Sequence, residues 1–327
     1  MKLIVNWNER SCLIESDQDG VAEYFSVKSN LLGKGSLRSA LESEQPALIR
    51  QKLFYTDGPN YQCSVNKEGV NFQAPWSEIK TTSMLECLLL NMFERDAHLH
   101  HRFSAHASSV SDGKHAYLFL GAKEAGKTTM VYNLCKKLGC KLFSNDHTEI
   151  GMMDGQPYVL GGDGNNFLTL RSHALEQTDL HMFDTIFGKR FRGISDMRKR
   201  VTPEEIGVQM ETRPLPVKKV FFIGLGYTDS LEYSQTASDM ASIVLHENMS
   251  GLIRGVTLAM YDRNKHFGPW IPDFSCEETH QNLFRFIKQM VNLNLIYTMR
   301  GPLKEVMDIL RQEMLVQNFT RAEGSLS

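Results

Sequence analysis

One eight-residue segment constrains this chain more than any other: Gly121-Ala122-Lys123-Glu124-Ala125-Gly126-Lys127-Thr128. It fits Gly-x-x-x-x-Gly-Lys-[Ser/Thr] at every fixed position. It also falls between an apolar run, His115 to Leu120, and a helical pattern from about Thr128 to Leu138. Glycines at those places permit a backbone curve whose N–H groups turn inward on phosphate oxygens, and the following helix adds its positive N-terminal end. In such a P-loop Lys127 would neutralise the β- and γ-phosphates, and the Thr128 hydroxyl would ligate Mg²⁺. Gly121, Ala122, Lys123, Glu124, Ala125, Gly126, Lys127, Thr128 and Thr129 are therefore the expected nucleotide-binding residues, for ATP or GTP. An ordinary Gly-rich turn is the plainer alternative, and the strand before and helix after weigh against it.

The surrounding pattern extends the motif into an α/β body. Val131, Leu134, Cys135 and Leu138 give the helix a buried face at i, i+3, i+4 and i+7, and Gly139 ends it. A second strand, Lys141 to Ser144, then runs into Asn145-Asp146. Strand, helix and strand at this spacing predict a βαβ unit in a sheet with helical cover.

Upstream, short β-like runs at Lys2 to Trp7, Glu23 to Val27, Leu53 to Tyr55 and Tyr61 to Val65 predict a small β-rich N-terminal domain. Ser83 and Glu86 have capping-box spacing ahead of a helical stripe of Leu85, Leu88, Leu89, Met92 and Phe93. That helix reads as the junction, which places the domains at residues 1–95 and 96–327. Downstream, Tyr158 to Arg171 reads as strand, turn and strand, and Thr202-Pro203-Glu204-Glu205 as a helix start. Val217 to Leu225 reads as a buried strand. Ser275 and Glu278 suggest another capped helix, a last helix follows Gly301-Pro302, and residues 320–327 form a tail.

Charge and cysteine usage narrow the partners. The 327 residues hold 36 Lys plus Arg against 38 Asp plus Glu, so no global field argues for nucleic acid or an acidic membrane, and any anion must meet a local cluster. Six scattered cysteines without a Cys-x-x-Cys pair read as reduced and structural. The opening Met1 to Trp7 turns polar too soon for a signal peptide, and no run approaches about 18 apolar residues. The expectation is a cytoplasmic protein without a membrane partner; homo-oligomerisation is left open.

Three further features bear on chemistry. Asp146, at the end of the second strand, lies on the edge where such sheets hold ligands, and could bind Mg²⁺ or accept a proton from an attacking hydroxyl; a turn or cap carboxylate is its plainer reading. His106 precedes the loop's strand and is as readily a satisfied structural histidine as a catalytic one. Nearby, His98 and His101 read as sharing a helical face, but no acid or cysteine follows at zinc spacing. A basic run holds Lys189, Arg190, Arg192, Arg198, Lys199 and Arg200, with Arg213 beyond it, and is either a phosphate clamp or a solvated face.

Taken together, Arg102 to Asp146 resembles the HPr kinase/phosphorylase family, which is related in its P-loop core to phosphoenolpyruvate carboxykinases. In that family a histidine opens the core strand, the loop follows, and an acidic pair closes the next strand after a helix ending in Gly. Here those places hold His106, the loop to Lys127 and Thr128, Gly139, and Asn145-Asp146. The resemblance implies an α/β P-loop core of HPr kinase/carboxykinase type, with Asp146 as proton acceptor. It implies an ATP- and Mg²⁺-dependent kinase acting on a hydroxyl, most often a serine of a peptide or protein.

This chain departs from the pattern at several points, beginning with a helix after the loop that reads as one residue longer. Asn145 replaces the first acid, Thr129 stands where bifunctional members carry an acid, and Thr169-Leu170-Arg171-Ser172 only loosely matches a Glu-x-Arg-Gly strand. Arg171 carries over while the metal-binding Glu does not, and Asp163 could stand in for it. The reverse, phosphorylase, activity is not implied. A small-molecule hydroxyl acceptor, and a nucleotide-dependent switch that transfers nothing, remain alternatives.

Overall fold

The computed structural model describes residues 1–7, 10–28, 51–66, 69–162, 167–193, 197–254 and 273–319. The fold is mixed α/β with several sheets and divides into two compact units. One comprises Met1–Ser104 with His246–Ile287; the other comprises Ala105–Gly162, Asn166–Leu245 and Lys288–Ser327.

The first unit is built on β1 (Lys2–Trp7), β2 (Arg10–Ser16), β3 (Gln51–Asp57), β4 (Gln62–Val65) and β5 (Val70–Ala74), in the sheet order β1-β2-β3-β5-β4. Alternation sets the buried face: Leu53 and Tyr55 of β3 and Val70, Phe72 and Ala74 of β5 are buried. Glu23 to Val27, expected as a strand, lies instead in helix α1 (Gly20–Lys28). Val21, Tyr24 and Phe25 are buried at i, i+3 and i+4, which is the period of a helix face.

After the short α2 (Trp76–Ile79) comes α3 (Met84–Leu99). It is a core helix rather than a linker, with Leu85, Leu88, Leu89, Met92 and Phe93 all buried in the first unit's core. The expected capping box is not made, because Ser83 gives no side-chain cap bond and Glu86 is buried. Ile253 and Phe274 join this same core, in keeping with the grouping of His246–Ile287 with the first unit. His101 lies beyond the end of α3 at φ 56, off the face that carries His98, and His98 hydrogen-bonds Glu94 at 3.1 Å.

Strand β6 (Arg102–Ala105) leads into β7 (Ala107–Ser111), β8 (Ala116–Leu120), α4 (Lys127–Leu138) and β9 (Lys141–Ser144). The strand, helix and strand of the expected βαβ unit are present, but β7 lies between β8 and β9 and runs antiparallel to both. A hairpin unrecognised in the sequence follows, β10 (Thr148–Met153) and β11 (Gln156–Gly162), turning at Asp154 (φ 50) and Gly155 (φ 74). Next come β12 (Leu168–Arg171), α5 (Ser172–Thr178), α6 (Leu180–Ile186), β13 (Arg198–Val201) and β14 (Leu215–Leu225). The chain ends with β15 (Glu232–Gln235), α7 (Ser238–Ser250), α8 (Glu277–Asn292), β16 (Ile296–Gly301) and α9 (Leu303–Phe319).

In the second unit's main sheet the order is β10-β11-β14-β8-β7-β9, with β16 parallel to β14 and β15 antiparallel to β16. Phe119 and Phe221 stack across β8 and β14, with ring centroids 5.4 Å apart. Both strands expected over Tyr158 to Arg171 are present as β11 and β12, and β12 pairs with β13 as a separate two-stranded sheet.

The helix expected after Thr202 is a single turn. Its capping box does form, with Thr202 N–H donating to Glu205 Oε2 at 2.6 Å and Glu205 N–H to Thr202 Oγ1 at 3.2 Å. Gly207 then turns left-handed at φ 63, and Val208 N–H closes back on Pro203 O. At α8 the cap is also different from the expected one, with Thr279 Oγ1 accepting from Cys276 N–H.

Candidate active site

Strand register, more than sequence distance, assembles this site. Leu120 at the end of β8 lies opposite Phe222 of the parallel β14 and opposite Ala107 at the start of the antiparallel β7. Ser109 of β7 lies opposite Ser144 at the end of β9. The residues just past those positions therefore share one edge: Gly121 after β8, His106 before β7, Asn145-Asp146 after β9, and Leu225 at the end of β14.

Beneath that edge a buried hydroxyl cluster ties the pieces together. Ser109 and Ser144 Oγ both meet Thr148 Oγ1, at 2.8 and 2.6 Å, Thr148 Oγ1 donates to Ala107 O at 3.1 Å, and Ser108 Oγ donates to Asn145 O. Satisfied buried hydroxyls of this kind hold the ends of β7 and β9 in one register. Side chains on the two following segments are thus placed by the strands beneath them.

The loop from Gly121 needs its glycines for space as well as for φ. A Cβ on Gly121 would come within 2.8 Å of Ile223 O, and one on Gly126 within 2.5 Å of Leu225 Cδ1. Gly126 caps α4 at φ 94, a conformation that costs other residues. Leu225 N–H donates to Ala125 O at 3.0 Å, so the end of β14 braces the loop from the side.

Lys127 opens α4 and is only 8% exposed. Its ammonium donates to Gly121 O at 2.7 Å and Ala122 O at 3.2 Å. Burial pulls its pKa down while the Asp146 carboxylate opposes that shift. Lys127 therefore places a cation in the loop within electrostatic reach of the carboxylate beyond β9. Thr128 and Thr129 follow it, half-buried, in the first turn of α4, and Asp146 itself is exposed.

His106 shares this field. Its imidazole is pulled down to about 4, by burial first and then by Lys127 and His147, with Asp146 opposing. Its ring lies 5.6 Å from that of His147. At neutral pH it is an uncharged imidazole. The folded pKa lies below the ordinary value of 6.5, so between about 4 and 6.5 the unfolded chain binds the extra proton and stability falls as pH falls. We expect His106→Gln to remove that slope, worth on the order of 2–3 kcal/mol across the window, in urea unfolding measured from pH 4 to 7. An unchanged pH profile would show that His106 is not buried neutral.

The remaining sequence candidates divide. Arg171 reaches the loop, its Nη2 donating to Glu124 Oε1 at 2.6 Å. Arg192 is taken up by Asp184, through Nε to Oδ1 at 2.8 Å and a second contact from Nη2 to Oδ2. Arg213 grips Glu211, whose carboxyl it holds down at about 2, and reaches Gly113 O, which precedes β8. Arg213 thus stands toward the opposite end of β8 from the loop and is not brought to it. Asp163 lies outside the described residues.

Three residues at this edge were not singled out in the sequence for it. His147 was signalled only by following Asp146. Leu225 closed a predicted strand, and nothing local tied it to Gly126. Arg198 was one cation in a basic run until its pairing with β12 set it apart, directly opposite Arg171.

No family model matches the chain, and no curated protein matches it. Among solved structures it is similar to the Hpr(Ser) kinase/phosphatase from Coxiella burnetii, at 13% identity and a TM-score of 0.25, over 41% of this chain and 72% of that one. At that level the likeness decides nothing about the chemistry, which rests on the loop and the residues along its edge.

Proposed function

We propose that this chain is an ATP- and Mg²⁺-dependent kinase that transfers the γ-phosphoryl group to a hydroxyl, a serine of a peptide or protein in the first instance. The observation that carries this reading is the convergence of Lys127, Asp146 and His106 at the mouth of the glycine loop, with Lys127 and Asp146 acting electrostatically on each other and on His106. Phosphoryl transfer asks a protein mainly for positioning and charge neutralisation, and this edge supplies both.

The donor set suits Mg²⁺, which binds through few protein oxygens and otherwise through water and phosphates. No cluster of three or more His, Cys, Asp or Glu occurs among the described residues. Thr128 and Asp146 would hold the ion. The buried Asn145 Oδ1, without a hydrogen-bond partner among the described residues, offers a further neutral oxygen beside Asp146. The ion, when bound, offsets charge between the β- and γ-phosphates.

In the transfer the acceptor oxygen bonds to the γ-phosphorus, the bond from that phosphorus to the β,γ-bridging oxygen breaks, and ADP leaves. The acceptor's proton passes to the Asp146 carboxylate. Lys127 balances charge on the transferring oxygens, and neutral His106 orients the acceptor by hydrogen bonding.

The test is to incubate the chain with Mg-ATP and serine-containing peptides and look by mass spectrometry for a phosphate adduct, about 80 Da, on the peptide. Lys127-dependent ATP binding with no acceptor modified across such a panel would make the chain a nucleotide-dependent switch instead.

A further inference from the structure

Glu124 sits inside the glycine loop with a left-handed backbone, φ 73, which a residue with a side chain adopts at a cost. Its carboxylate, though more than half exposed, is engaged by two arginines. Oε1 receives Arg171 Nη2 at 2.6 Å and lies 3.7 Å from Arg198 Nη2. Those arginines are direct cross-strand partners, the last residue of β12 against the first of β13. Like charges directly opposite each other destabilise a strand pair, so an anion between them relieves the pair. In this chain the relieving anion comes from the loop whose backbone is shaped for phosphate.

We propose that Arg171 and Arg198 form a site for the terminal phosphate of a bound triphosphate, and that Glu124 fills this site as an internal competitor which the phosphate displaces. The inference rests on the nucleotide reading above and adds to it a residue that sets affinity. Displacement is cheap, because the ion pair is solvent-facing, with Glu124 54% and Arg198 45% exposed. The incoming group is favoured, because a phosphate offers three acceptor oxygens and more charge to two guanidinium forks than a single carboxylate does. Selectivity follows: a nucleoside triphosphate reaches the arginine pair and evicts Glu124, whereas a diphosphate leaves it in place.

The test is calorimetric titration of the full chain with Mg-ATP, Mg-tripolyphosphate and Mg-ADP. Glu124→Gln removes the charge at constant length, and Glu124→Gly also suits the positive φ, so the pair guards against a folding artefact. Both are expected to bind ATP and tripolyphosphate about five- to tenfold tighter than the parent, with ADP changed less than about twofold. The gain should vanish on an Arg171→Ala background, a coupling that a merely structural Glu124 would not produce.

Unchanged or weaker ATP binding in both variants, or an equal gain for ADP, would overturn the proposal. Lys127→Ala separates the two levels. If ATP binding does not depend on Lys127, the nucleotide reading falls and this inference falls with it. If binding depends on Lys127 but is indifferent to Glu124, only the competitor is wrong.

Discussion

Lys127→Met should lose about 3 kcal/mol or more of Mg-ATP affinity, on the order of a hundredfold, while the chain melts at an unchanged or higher temperature. The two halves of this result have one cause. The ammonium is nearly buried, and among the described residues its hydrogen bonds go to the carbonyls of Gly121 and Ala122. Burial disfavours its charged form, so the fold bears a cost for keeping a cation there. A thioether of similar length removes the cost and fills the volume, but cannot answer phosphate charge. Titration calorimetry and a thermal melt on the same sample check both halves. A fall in melting temperature parallel to the affinity loss would mean that Lys127 is a structural residue, and the phosphate role would be lost.

Asp146→Asn is expected to divide the reaction from the binding. The residue is exposed and follows β9 in a loop, so an isosteric amide leaves the packing below it alone. Removing a proton acceptor costs about 10²- to 10⁴-fold in kcat, whereas affinity for metal-free ATP, which does not engage Asp146 through the ion, should change by no more than about threefold. Single-turnover phosphate transfer to a serine peptide reads the first quantity and ATP titration the second. Retained binding with a wild-type transfer rate would remove Asp146 from the proton-acceptor role. Loss of binding in step with rate would make it a ligand-holding residue instead, as the carboxylate that faces Lys127 could be.

These outcomes depend on residues of very different legibility. The glycine loop could be read directly, because left-handed φ, close backbone approach and a lysine at a helix start are demands that neighbouring residues must meet locally. The strand before it and α4 after it followed from hydrophobic period, and Gly139 does end the helix at φ 70. Glu23 to Val27 misled, because a short apolar run carries strand and helix periods equally, and burial of Val21, Tyr24 and Phe25 on one face decided for the helix. The Thr202 box formed as its residues suggested, yet a left-handed Gly207 stopped it after one turn.

The arginines show the limit most clearly. Seven basic residues in one stretch and its neighbourhood looked interchangeable. Among the described residues Arg192 went to Asp184 and Arg213 to Glu211, while Arg198, together with Arg171 from outside that stretch, met the loop through Glu124. For Arg171 and Arg198 the β12–β13 pairing set which carboxylate they share, whereas Arg192 and Arg213 found acids close by in the chain.

By itself, then, the sequence determined the glycine loop, the strand and helix on either side of it, and the mixed α/β class, because each is a property of residues within a few positions of one another. Tertiary structure decided what stands beside the loop: β7 inserted between β8 and β9, His106 and Asp146 delivered to one edge, and Leu225 braced against Gly126; it also gave Ile253 and Phe274 to the first unit's core. Those are outcomes of strand register and of which apolar surfaces bury together, and both join residues far apart in the chain, where local spacing carries no signal.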